Sequence, residues 1–129
     1  MKFYTAVEKS HQKWSNLLEQ CEEERKKIFH EETEEYYKQK AIKILDEMYS
    51  RCPICRYYSQ NDQQSCARCC LKSECDTLIE DIEGIRKELN TFQTIDLVSL
   101  EHIFGMIEDR INESLQLLER LQKKSRGEE

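Results

Sequence analysis

The sequence predicts a mainly α-helical protein, with a long N-terminal helix, a small cysteine-rich module and a C-terminal antiparallel helical hairpin. Three glycines and one proline among 129 residues leave few breaks in regular structure. Apolar residues recur at multiples of seven, as on one face of a helix. Hydrophobic residues make up 38% and charged residues 36%, which suits narrow helical seams better than a thick core. We expect residues 1–50, 51–75 and 76–129 to form the three parts.

Residues 4–50 are predicted to be one helix, because a seam of apolar side chains runs along them: Val7, Trp14, Cys21, Ile28, Ile42 and Tyr49. An unbroken helix of this length would reach roughly 70 Å, too far for the rest of one chain to cover. The segment must therefore bend near residues 30–33, project into solvent, or pair with a second copy. We favour projection or pairing, and pairing would make a homodimer through the long helices.

Three aromatic residues of this segment are candidates for binding a protein partner, since Trp and Tyr dominate the energetics of interfaces. Trp14 lies on the apolar seam, where packing within the chain is the stronger interpretation. Tyr36 and Tyr37 lie in a highly charged stretch, and there packing and partner binding are equally favoured. The neighbouring acidic run, Glu22 to Glu24, is interpreted as a solvated helix face, with Arg25, Lys26 and Lys27 forming local pairs.

Residues 51–75 hold six of the seven cysteines. Cys52 and Cys55 are separated by two residues, and so are Cys66 and Cys69. A gap of two residues lets one tight turn direct two thiolates at the same ion, and four thiolates complete the tetrahedron that structural zinc prefers. The spacing therefore predicts one structural Zn²⁺, and the metal would supply much of the folding free energy of this short window.

The run Cys52-Pro53-Ile54-Cys55-Arg56 resembles the knuckle of zinc ribbons and related fingers. The resemblance covers residues 52–69 only, and it implies a fold for the metal site without any particular activity. Cys70 and Cys75 could each replace Cys69 as the fourth ligand, although we favour Cys69. An iron–sulfur cluster, a disulfide framework and a thioredoxin-like redox site are weaker alternatives for the same cysteines.

The cysteine window is also the one basic part of an acidic chain, whose net charge is −6. Basic side chains interleaved with aromatic ones suit single-stranded nucleic acid, and the residues concerned are Arg51, Arg56, Tyr57, Tyr58 and Arg68. Cations also stabilise the negative charge of a tetrathiolate zinc centre. Because the rest of the chain would repel phosphates, nucleic-acid binding is the second interpretation here.

The C-terminal part is predicted to be a hairpin of helices over 77–92 and 96–124. Asp76 is the expected N-cap of the first helix, and Thr94 or Asp96 that of the second. The second helix is longer by about thirteen residues, an overhang of roughly 20 Å. Its free apolar end, Ile111 to Leu121, needs a cover from the first helix or from a second subunit.

No catalytic constellation, nucleotide-binding loop or membrane-length apolar run is evident in the sequence. The N-terminus has no apolar stretch typical of a secretory signal, which predicts a reducing, cytoplasmic setting. We therefore expect a non-catalytic adaptor or stoichiometric inhibitor, encoded by a virus or mobile element and directed at a host machine. The alternative is a nucleic-acid-associated zinc protein.

Overall fold

The computed structural model describes residues 3–28, 33–49, 72–91 and 96–128, and within these ranges the chain is helical without strands. The described ranges contain four helices in succession: α1 (Phe3–Lys27), α2 (Glu34–Tyr49), α3 (Lys72–Thr91) and α4 (Leu97–Glu128). The prediction of a mainly α-helical fold is confirmed. None of these helices is long and apolar enough to cross a membrane.

The described part of the first fifty residues forms two helices, so the favoured alternative of one unbroken helix is wrong. α1 ends at Lys27 and α2 begins at Glu34. The Thr33 hydroxyl accepts a hydrogen bond from the Tyr36 amide at 3.4 Å, which caps the start of α2. The Tyr37 hydroxyl donates to the Lys27 carbonyl at 2.7 Å, satisfying an acceptor that the end of α1 leaves free. The structure therefore excludes an unbroken helix, because Ile28 and Thr33 both lie outside α1 and α2; residues 29–32, where the bend was considered, lie outside the described residues.

α1 and α4 run antiparallel along each other and form the largest interface between helices. His11 of α1 lies 3.6 Å from Glu119 of α4. Towards the other end of α1, Arg25 pairs with Glu101. Because the two helices run in opposite directions, the beginning of α1 lies next to the end of α4. α1 therefore covers the apolar end of α4. Ile111 and Leu118, within the predicted overhang, are buried. The chain thus supplies its own cover, and the argument for pairing with a second copy loses its premise.

α3 packs mainly on α2 rather than on α4. Arg86 of α3 pairs with Asp46 of α2 at 2.5 Å, while Arg110 of α4 reaches Asp81 of α3 at 3.0 Å. The helix begins at Lys72, so Asp76 lies inside it and is not the N-cap that the sequence predicted. The prediction of two C-terminal helices is right, but each of them packs mainly on an N-terminal helix: α3 on α2, and α4 on α1.

The start of α4 matches its prediction. Asp96 precedes the helix, and its carboxylate accepts a hydrogen bond from the Ser99 amide at 2.7 Å. This bond holds the pKa of Asp96 below its usual value, because it stabilises the ionised carboxylate. The alternative cap, Thr94, lies outside the described residues.

The core lies where α1 and α2 meet α4, and Phe104 is among its largest fully buried side chains. The Phe104 ring lies edge to face with that of Tyr37, with 6.5 Å between the centroids. All four helices contribute fully or almost fully buried side chains: Leu17, Cys21, Tyr37, Leu45, Ile82, Leu89, Phe104 and Ile107. Because each helix buries one stripe against its neighbours, the described helices depend on mutual packing for stability.

Two helical glycines provide a matched stability test. A Cβ at Gly84 would have no heavy atom within 4 Å, whereas a Cβ at Gly105 would lie 3.2 Å from Nη2 of Arg25. We expect Gly84→Ala to raise the free energy of unfolding by up to about 1 kcal/mol, because alanine is the better helix former. Gly105→Ala should gain less, since Arg25 must shift. Urea denaturation of both variants measures the difference, and an equal or larger gain at Gly105 would contradict it.

Candidate functional site

The cysteines predicted to bind zinc fall largely outside the described residues. Five of them are not described: Cys52, Cys55, Cys66, Cys69 and Cys70. Cys75 lies in the first turns of α3. The same gap contains the residues predicted to contact nucleic acid: Arg51, Arg56, Tyr57, Tyr58 and Arg68. Within the described ranges, no group of three or more His, Cys, Asp or Glu side chains is arranged to hold a metal ion. The zinc site therefore stays a prediction.

Two of the three proposed partner anchors belong to the core. Trp14 is only 6% exposed, and Tyr37 is fully buried. The Tyr37 hydroxyl also donates a hydrogen bond to the end of α1. Both the ring and the polar group of Tyr37 therefore make contacts within the chain. These burials favour the packing interpretation for both residues, because neither presents surface to a partner. Tyr36 differs, since it is only partly buried against the core.

Cys21 is a buried thiol held between α1 and α4. Its Sγ donates to the Phe104 carbonyl at 3.4 Å. Burial raises the pKa of Cys21 to about 12, and the nearby Glu108 carboxylate adds to the shift. The thiolate is the nucleophilic form, so this cysteine is unreactive at neutral pH. The structure therefore agrees with the interpretation of Cys21 as a small core residue.

Arg25 of α1 forms ion pairs with α4 that the sequence did not suggest. Its Nε and Nη2 each lie 2.8 Å from Glu101 Oε1, and its Nη1 lies 2.5 Å from Glu108 Oε2. Hydrogen bonds to Glu101 and then Glu108 raise the pKa of Arg25 above its ordinary value. Gly105 lies between the two glutamates in sequence, and its missing side chain leaves room for the guanidinium. Arg25 thus pairs across the interface, and not locally with its own helix.

One face of α2 combines an aromatic ring with lysines, and we call it the Tyr36 face. It consists of Tyr36, Lys40 and Lys43, which the helix aligns because they are spaced by four and three residues. The Tyr36 ring lies edge to face with that of Tyr37, with 5.1 Å between the centroids. Lys40 Nζ lies 5.4 Å from the centroid of the Tyr36 ring. Lys43 is exposed.

The end of α1 contacts the start of α2 and carries two lysines. The hydrogen bond from Tyr37 to the Lys27 carbonyl joins the end of α1 to the start of α2. Lys26 and Lys27 are both exposed there. Glu34 and Glu35 border the face at the first turn of α2, where Glu35 accepts a hydrogen bond from Gln39 at 2.9 Å. The Tyr36 face thus has two lysines and an aromatic ring, and the same helix carries four carboxylates: Glu34, Glu35, Asp46 and Glu47.

The histidines of the described residues stand apart from one another. His11 faces Glu119 at the far end of α1, and His102 is exposed near the start of α4. Among the described residues a lysine lies over an aromatic ring at two places, Lys13 over Trp14 on α1 and Lys40 over Tyr36 on α2. The sequence pointed to Tyr36 but not to Lys40 and Lys43; their spacing from Tyr36 on a predicted helix was the available signal.

Comparison with protein families relates the chain to a known class of enzymes. Residues 1–126 match the family model described as tRNA synthetases class I (M). The chain belongs to this family. Comparison with curated proteins and with solved structures gave no match.

Membership of the class I tRNA synthetase family corrects two expectations. The prediction of a non-catalytic adaptor or inhibitor from a virus or mobile element is wrong, because the matched family is one of enzymes. The prediction that the chain has no enzymatic role is wrong for the same reason, and the alternative of a nucleic-acid-associated zinc protein is not better supported. The family match extends along almost the whole chain, whereas the search for short catalytic motifs depended on a few residues.

Proposed function

We propose that the chain acts in aminoacyl-tRNA synthesis, the reaction in which a tRNA synthetase joins an amino acid to its tRNA. The observation that carries this proposal is the family match over residues 1–126. The described helices would contribute a rigid body to the enzyme, because side chains from all four are buried in one core. Rigid elements are suited to holding a substrate in a fixed position.

The acidic charge of the chain limits how it can meet tRNA. With a net charge of −6, the protein as a whole repels a phosphate backbone. At physiological ionic strength, however, exposed charges are screened beyond about 8 Å. Contact with tRNA therefore depends on the charges of local surfaces and not on the net charge of the chain.

The proposal is tested by assaying the purified chain for synthetase activity. The assay measures amino-acid-dependent exchange of pyrophosphate into ATP, and attachment of labelled amino acids to unfractionated tRNA. We expect charging with one amino acid above the level of heat-denatured protein. A second arm measures tRNA binding by filter retention, because a helical part of a synthetase can contact tRNA without completing the reaction. A chain that neither charges nor binds tRNA would refute the proposal.

The cofactor and further partners stay predictions beside this function. One structural Zn²⁺ is expected on Cys52, Cys55, Cys66 and a fourth ligand chosen from Cys69, Cys70 and Cys75. A protein partner and a homodimer also stay predictions. An uncovered first helix was the reason to expect the homodimer, and this reason is lost because α4 covers α1.

A further inference from the structure

We draw no further inference here: the strongest candidate, the groove between α3 and α4 that Leu78, Leu117 and Arg110 line, carries none, because Arg110 is already paired with Asp81 and Glu113 and nothing in the structure shows what covers the two leucines.

Discussion

Replacing Phe104 with alanine is expected to lower the free energy of unfolding by about 3 to 5 kcal/mol. The side chain is fully buried, and its ring contacts that of Tyr37. Its backbone carbonyl receives the Cys21 thiol, so α1, α2 and α4 meet at this residue. Truncation removes apolar contacts and leaves a cavity that three helices border. Urea denaturation followed by circular dichroism measures the change.

Val98→Ala in the same helix is the matched control, because Val98 is 70% exposed. We expect this substitution to change stability by no more than about 0.5 kcal/mol. A cost at Phe104 as small as that at Val98 would mean that the packing of α4 against α1 and α2 is not the main source of stability.

Alkaline pH is expected to destabilise the fold through Cys21. The pKa of this thiol is about 12 in the folded chain against 9.0 as its ordinary value. Above about pH 9 the unfolded chain releases the proton while the folded chain retains it, so stability falls as pH rises towards the folded pKa. The loss attributable to Cys21 between about pH 8 and about pH 10.5 should approach about 2 kcal/mol. Below about pH 8 this contribution is fully present.

Cys21→Ala isolates that contribution, since other groups titrate over the same range in both proteins. The variant will be less stable at neutral pH because a small cavity replaces the thiol, but its stability should fall less steeply above about pH 9. Urea denaturation at several pH values measures both slopes. Parallel slopes would show that Cys21 is not shielded from solvent as the structure indicates.

The sequence predicted the described helices better than their packing. Few glycines and prolines and a strong helical repeat of apolar residues indicated helices, and Asp96 is the cap that its side chain and position suggested. The break between Lys27 and Glu34 was missed because no glycine or proline marks it. Thr33 was the available signal, since threonine is a good cap, but a cap residue is also common on exposed helix surfaces.

The candidate site was only partly predictable. Tyr36 and Tyr37 were singled out together, yet the structure buries one and leaves the other at the surface. Adjacent residues on a helix point in directions about 100° apart, so the position of the neighbouring helices decides which is buried. The contact of Lys40 with an aromatic ring was not predicted, because it depends on the position of the Tyr36 ring one turn earlier in the helix.

The sequence by itself determined that the described ranges are helical, since helix formation depends on hydrogen bonds four residues apart and on a local repeat of apolar side chains. Only the tertiary structure decided that α1 lies on α4, that Arg25 pairs with Glu101 and Glu108, and that Tyr37 is buried while Tyr36 is only partly so. These features join residues far apart in the chain. Local periodicity defines which stripe of a helix is apolar, but the choice of the helix that covers it depends on the packing of the whole core.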